Sequence, residues 1–552
     1  MSELPLDRAY YWERTAPRDV FLTQPMDGAV HDWTWAQTMD EARRVANYLI
    51  AKSWPAGSHI VIYSKNCSWW IIAELAIWMS GHVTVPIYPS LTPQSARELF
   101  EHCEPVACFI GPLDGADPSE HQIPAGIYKI CFPNTALAKD ATSWKEIVDT
   151  APPLSTNPQR QPDEIATVIY TSGTTGSPKG AMHRFMAFPY FAMAISQVAG
   201  TARHRQLSYL PLAHIAERSL TETTGIYYGW RLFFSESTAT FMADLMRARP
   251  TVFFSVPRLY AKFQQKVFEK ISPKALGALL RAPLMRKAVS KYILANMGFS
   301  DVKFAASGSA ALPSELLRWF LALGLPLTEG YGTTETGITH TSPNGESRPG
   351  YTGKCTPGVE AKVSELGELL LRSPMNMLGY YKNPEDTAQV VLEDGFIRTG
   401  DLAEISSDGW LKITGRIKEQ FKTAKGKYIA PSKIESLLSA HPAFENCLVL
   451  GTNLAAPCAV AVLTREATQQ AGTESGRKDL EQSFEKLIDS VNKRVETHEH
   501  LAFVALVKDH WTMGGQFVTP TLKLRRSPLE AHYGALIPAW LEQGKRVIWG
   551  LT

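Results

Sequence analysis

Apolar residues Trp35, Met39, Ala42, Val45 and Leu49 recur every three or four positions, which places them on one face of a helix. A strand-like run at residues 59–64 follows. Further strands are predicted at residues 84–89, 107–111, 165–171, 252–256 and 303–306, alternating with helical stretches such as residues 313–323. Strand and helix in alternation predict parallel, doubly wound sheets. Beyond about Thr352 the pattern shortens: a strand at residues 367–372, turns at Glu393-Asp394-Gly395 and Asp408-Gly409, then a strand at residues 410–414. This predicts a β-rich subdomain. After Gly415 comes a helix from Pro431, strands at residues 447–451 and 459–464, and a charged helix at residues 480–495, the texture of a small α+β domain. No internal repeat interrupts this order.

A chain of 552 residues exceeds what one core supports, so several are expected. With 45% apolar and 20% charged residues it has the composition of a globular protein. Lys plus Arg (56) barely exceeds Asp plus Glu (54), which argues against a nucleic-acid binder and leaves phosphate recognition to local features. Seven cysteines, at 67, 103, 108, 131, 355, 447 and 458, lack metal-ligand spacing and disulfide density, so a reducing, cytoplasmic setting is expected. Residues 1–18 lack the apolar core of a secretory signal. The most apolar run, residues 69–79, is too short to span a bilayer and contains Glu74, so it reads as a buried helix. A soluble protein is expected, with peripheral membrane contact left open.

The strand at residues 165–171 runs directly into Thr171-Ser172-Gly173-Thr174-Thr175-Gly176-Ser177-Pro178-Lys179-Gly180. Glycines let backbone amides turn toward a ligand, the hydroxyls add donors and Lys179 adds charge, which together suit a polyphosphate. A Walker A loop has Ser or Thr after its lysine, whereas Gly180 stands here. Taken alone, the segment has a second, less favoured reading as a Gly/Ser/Thr-rich surface loop.

It resembles the phosphate loop of the AMP-binding, adenylate-forming superfamily, and the likeness extends through most of the chain. Tyr331-Gly332-Thr333-Thr334-Glu335-Thr336 is similar to the family's Tyr-Gly-x-Thr-Glu element, in which threonine contacts phosphate and the glutamate helps to hold Mg²⁺. Arg398-Thr399-Gly400-Asp401 resembles the ribose-binding element, with Arg416 as the second ribose contact. Ser307-Gly308-Ser309-Ala310 resembles the segment lying along adenine, and Gly308 and Gly332 would also border the acyl substrate. Lys418 takes the family's hinge position, and Gly426 matches the glycine lining the thiol tunnel. Thr519-Pro520-Thr521-Leu522-Lys523-Leu524-Arg525-Arg526 resembles the segment carrying the adenylation lysine, which makes Lys523 the choice. Many members have Ser-Gly-Lys there; Leu522 before the lysine instead resembles the long-chain acyl-CoA synthetase branch. Residues 210–218, Leu-Pro-Leu-Ala-His-Ile-Ala-Glu-Arg, and 256–260, Val-Pro-Arg-Leu-Tyr, point to the same branch and place His214 near the acyl carboxylate.

The resemblance implies an α/β architecture: a large N-terminal domain of doubly wound sheets with a β-rich subdomain, residues 1–417, and a small mobile α+β domain, residues 418–552. It implies activation of a carboxylic acid by ATP and Mg²⁺ to an acyl-adenylate, assisted by Lys179, Glu335 and Lys523, then transfer to coenzyme A. An acyl carrier protein as acceptor, or a nucleotide-binding relative without turnover, are the alternatives. A homodimer is a family expectation that no residue here tests.

Overall fold

A computed structural model describes residues 3–113, 123–136, 140–171, 178–509, 511, 516–519 and 524–550. Its largest sheet has eight strands, in the order Gly379–Tyr380, Lys179–Arg184, Ile165–Thr171, Val83–Ile87, His59–Tyr63, Ala107–Ile110, Tyr128–Cys131 and Thr142–Ser143. The last six run parallel. The first two are antiparallel additions at one edge. Thr171 pairs with Lys179 across that edge, so the residues flanking the candidate phosphate loop are fixed by a ladder, and a strand rather than a helix follows the loop.

A second sheet joins Arg205–Ser208, Arg231–Phe234 and Val20–Met26 in parallel, with Ala29–Thr34 antiparallel. Val252–Ser255, Phe304–Ser307 and Leu327–Glu329 form a third, all-parallel sheet. The predicted β-rich subdomain is an antiparallel sheet of Glu360–Val363, Glu368–Arg372, Ile397–Ile405 and Leu411–Arg416. In the C-terminal part, Phe444–Leu450 and Cys458–Leu463 pair antiparallel, and Val504–Val507 and Val547–Gly550 extend that sheet in parallel. Among the described residues, apolar clusters are built either from residues up to Ile413 or from Phe421 onward, and none of them mixes the two sets.

The helix Trp35–Ile50 buries the predicted stripe Trp35, Met39, Ala42, Val45 and Leu49. Its start is set by Thr34, whose side chain accepts from the Gln37 amide while Gln37 reaches back. The helix Ser68–Met79 is buried at every position, Glu74 included. Glu74 is tolerated there because Arg218, itself buried, donates to it, to Glu222 (3.2 Å) and to the Thr167 hydroxyl (2.6 Å). Burial, then the negative charge of Glu74, pushes Glu222 well above the carboxylate range. Glu222 is thereby held toward its neutral form beside Arg218 and Glu74, all three enclosed. Arg218 opens a π-helical turn, Arg218–Thr223, buried throughout.

In the N-terminal stretch, notable in the sequence for charge and proline, Pro5–Thr15 is a helix with Leu6, Ala9, Tyr10 and Trp12 turned into the core. Among the described residues no helix is long and apolar enough to cross a membrane.

Candidate active site

The C-terminal ends of the parallel strands open onto a cleft of about 2680 Å³, the location where α/β sheets bind ligands. Phe304–Ser307 ends in Gly308-Ser309-Ala310, and Ser309 takes a left-handed conformation (φ 66°). Ser307 pairs with Glu329 on the neighbouring strand, and the Gly330 amide donates to the Ser307 carbonyl (3.0 Å), so the Gly308 turn and Tyr331 lie side by side. Gly332 has no room for a side chain: a Cβ there would stand 2.1 Å from the Gly337 carbonyl oxygen. Both segments line the cleft.

Asp401 is buried, and its two oxygens are held from opposite sides. Tyr331 donates its hydroxyl to Oδ2 (2.6 Å), and Arg416 donates Nε to Oδ1 (2.7 Å) from its directly paired position on the next strand. Burial and the adjacent charge push the Tyr331 hydroxyl well above its ordinary range, so it remains a donor. Each carboxylate oxygen can accept more than one hydrogen bond, which leaves Asp401 capacity for a vicinal diol. Asp401→Ala is expected to raise the KM for ATP by roughly 10–100-fold, the worth of one or two hydrogen bonds to a charged group. Initial rates over a range of ATP concentrations measure this; an unchanged KM rejects the assignment.

Glu335 accepts from the Tyr380 hydroxyl at Oε1 (2.8 Å). The same ring lies 5.6 Å below the Lys179 ammonium, which pairs with Asp386 at 2.7 Å. That contact with Lys179, followed by Asn383, lowers the Asp386 carboxyl below its ordinary range. Asn383 also caps the helix Pro384–Val390 and so fixes where Asp386 sits. Tyr380 and Asp386 thus join two residues singled out in the sequence, Lys179 and Glu335. In the sequence this stretch signals only a helix start, Asn383 followed by Pro384. The carbonyl of Thr334 accepts from His183 Nε2 (2.8 Å), and burial lowers His183 to about 4, so its ring is neutral there.

Glu329, like Tyr380 and Asp386, carries no signal in the sequence. It lines the cleft, accepts from the Leu312 amide at 3.0 Å, and is raised by burial to about 8. A carboxyl whose folded pKa lies above its unfolded value contributes stability that is fully present below the unfolded pKa. That contribution is lost as pH climbs toward the folded one. The glutamate is therefore expected to cost stability between an ordinary carboxylate's 4.5 and about 8, at no more than about 1.4 kcal/mol per pH unit. Glu329→Gln keeps the acceptor and removes this slope; thermal melts across the window check it, and parallel curves for the two proteins contradict it.

His214 lines the cleft and accepts the Ala216 amide at Nδ1 (3.1 Å), beside the apolar lining residues Ile195, Val198, Ile215 and Leu220. Thr171, Thr333, Thr334 and Lys418 also face the cleft, Lys418 from the turn Ile417–Glu419. Gly426 is not brought there. It closes the hairpin between Phe421–Lys422 and Tyr428–Ile429 at φ 77°, a backbone region that favours glycine. Ser172, Gly173, Thr174, Thr175 and Gly176, and Lys523, lie outside the described residues. The positions flanking Lys523 do reach the cleft: Thr519, Leu524, Arg525 and Arg526 line it, and Arg526 is fixed by Glu435 (2.6 Å) and the Val449 carbonyl (2.9 Å).

Residues 10–381 match the AMP-binding enzyme family, and residues 418–543 match its C-terminal domain. The chain belongs to the AMP-binding enzyme family. Among curated relatives, a putative fatty-acid–CoA ligase, fadD11, of Mycobacterium tuberculosis is 30% identical over 68% of this chain and 73% of its own length. The long-chain-fatty-acid–CoA ligase FadD15 of Mycobacterium bovis is 28% identical over 96% of this chain and 95% of its own. Long chain acyl-CoA synthetase 6, peroxisomal, of Arabidopsis thaliana is 28% identical over 93% and 82%. Solved structures give the same fold at lower identity. The adenylation domain of a carboxylate reductase from Mycobacterium chelonae has a TM-score of 0.81 at 21% identity, covering 98% of this chain and 91% of that one. ATP-bound MatB of Rhodopseudomonas palustris has a TM-score of 0.75 at 22%, covering 97% and 100%. The AMP-binding enzyme described here shares their α/β architecture, with a large N-terminal part and a smaller C-terminal one.

Proposed function

We propose that this AMP-binding enzyme activates a fatty acid with ATP, releasing pyrophosphate, and passes the acyl group from the adenylate to coenzyme A. One observation supports the reading most: a single cleft carries the Tyr331–Asp401–Arg416 set and Glu335 together with an apolar lining of Ile195, Val198, Ile215, Leu220 and Ile338. Polar groups suited to a nucleotide therefore adjoin a surface suited to an acyl chain. The long-chain relatives, and the residue 210–218 stretch, agree with a medium- to long-chain acid.

In this mechanism the acid's carboxylate attacks the α-phosphorus of ATP, the bond to the β-phosphate breaks, and pyrophosphate leaves. Both partners are anionic, so approach depends on cations and fixed geometry. Lys523 supplies one cation at the α-phosphate, and Lys179 supplies another once ATP phosphates compete with Asp386 for its ammonium. Asp401 and Arg416 hold the ribose, while the turn at Gly308, Ser309 and Ala310 lies along the base. Glu335 would hold Mg²⁺, and the donor set fits: a carboxylate oriented by Tyr380, beside the hydroxyls of Thr333 and Thr334, offers a hard ion the oxygen ligands it requires. Such an ion would offset phosphate charge. The thiol of coenzyme A then attacks the acyl carbon of the adenylate, and AMP leaves. Residues 418–552 are the unit that turns about Lys418 between these steps, with Gly426 brought alongside the thiol arm. Cys67, Cys103, Cys108, Cys355, Cys447 and Cys458 are free thiols, which supports a reducing, cytoplasmic setting.

Withholding coenzyme A provides the test. With ATP, Mg²⁺ and a fatty acid alone, the enzyme should accumulate about one acyl-AMP per active site, as expected of a bound intermediate shielded from water while it awaits its acceptor. Adding coenzyme A should convert it to thioester. An adenylate indifferent to coenzyme A would assign the acceptor role to an acyl carrier protein, and absence of any adenylate would reject acid activation.

A further inference from the structure

The helix Pro257–Phe268, which contributes Lys262, Lys266 and Phe268 to the cleft lining, leads into a hairpin of two helices, Pro273–Arg281 and Pro283–Asn296. Residues 270–300 contain six basic side chains, Lys270, Lys274, Arg281, Arg286, Lys287 and Lys291, and no acidic one, in a chain whose net charge is only +2. All six are exposed. The acids that flank the stretch in sequence are Glu269 and Asp301, and Asp301 is already paired with Arg205 and Arg249.

The hairpin's inner face is satisfied: Leu276 and Ile293, with Leu280, Val289 and Leu294, pack against the core around Phe253, Phe263 and Phe299. Its outer face is not purely polar. Met285, Ala288 and Tyr292, spaced three and four apart, form an outward stripe, with Met285 47% and Tyr292 72% exposed. Lys287 and Lys291, four apart, form the adjoining row; Lys274, Ala278 and Arg281 form an exposed row on the first helix. At the hairpin's far end, half-exposed Met246 lies beside Gly298.

We propose that this hairpin is a docking face for an anionic membrane surface. Basic rows beside exposed apolar and tyrosyl side chains match a lipid headgroup layer, where charge draws the helix in and the apolar stripe enters the acyl boundary. A partner recognised through charge alone leaves the exposed Met285 and Tyr292 unexplained. The hairpin directly follows the helix that borders the cleft, so a fatty acid dissolved in the bilayer would be taken up close to where the cleft opens. That delivery role rests on the fatty-acid reading above; the docking itself does not.

Sedimentation of the full-length protein with vesicles of phosphatidylcholine, alone or mixed with an equal part of phosphatidylglycerol, tests docking without turnover. Wild-type protein should bind the anionic vesicles, release them as salt is raised, and ignore the neutral ones. A basic residue near an anionic leaflet is worth about fivefold in partition, so Lys274→Glu, Lys287→Glu and Lys291→Glu combined should weaken binding by about 100-fold or more. The Lys→Gln counterpart should fall between, and Met285→Ser with Tyr292→Ser should weaken binding at unchanged salt dependence. Pyrophosphate release with a water-dispersed fatty acid should stay at the wild-type rate in all of them, which also shows that they fold. Equal binding to neutral and anionic vesicles, no binding to either, or wild-type binding by the triple Glu variant overturns the proposal. Specific vesicle binding by a protein inactive on every fatty acid would leave docking intact and reject the fatty-acid reading.

Discussion

Lys523→Ala is expected to slow acyl-adenylate formation by about 10²–10³ while leaving thioester formation from supplied acyl-AMP largely intact, the usual cost of one oriented charge contact confined to one step. The asymmetry follows from where charge is needed. Adenylation drives a carboxylate onto a polyphosphate, so a cation at the α-phosphate lowers the barrier directly. Thiol attack on the adenylate is directed at the acyl carbon, with that contact no longer required. Thr519, Leu524, Arg525 and Arg526 line the cleft, and Arg526 is anchored by Glu435 and the Val449 carbonyl, so the flanks of Lys523 reach the place this role demands. Separate rapid-quench measurements of the two half-reactions provide the check. Equal loss in both would remove Lys523 from its assigned role.

Arg218→Met should destabilise the protein by about 3–5 kcal/mol, the cost of stranding buried carboxyls when a shared cation is removed. Glu74 and Glu222 are wholly enclosed, and Arg218 sits over the Trp70 and Phe188 rings (5.5 and 6.0 Å), so solvent cannot take its place. Replacing the set together, Arg218→Met with Glu74→Leu and Glu222→Leu, should recover most of that loss, because the polar groups then leave as a unit. Denaturant midpoints at constant slope report both values. A single variant as stable as the wild type would show that the cluster is not the interdependent, fully buried set described.

The same cluster shows what the sequence could and could not reveal. That residues 69–79 form a buried helix was legible from their unbroken apolar character; why Glu74 is tolerated was not, because its partner lies 144 positions away. The strand Ile165–Thr171 and the stripe of Trp35–Ile50 were legible because local periodicity decides them. The N-terminal helix Pro5–Thr15 was masked by charges on its exposed face, although Leu6, Ala9, Tyr10 and Trp12 bury the other. In the candidate site, Asp401 and Glu335 were legible through short motifs, whereas their contacts were not: Tyr331 reaches Asp401 across 70 positions and Tyr380 reaches Glu335 across 45. Glu329 and Asp386 carry no motif signal: only the parallel pairing of strands brings Glu329 to the cleft, and only the cap at Asn383 sets Asp386 against Lys179.

Pyrophosphate release with ATP and Mg²⁺, measured across acids from acetate to long-chain fatty acids with and without coenzyme A, tests the central claim most directly. Sustained release that peaks with a medium- or long-chain fatty acid and depends on coenzyme A is the predicted result. Release that peaks with a short or aromatic acid, or nucleotide binding with no release for any acid, would contradict it.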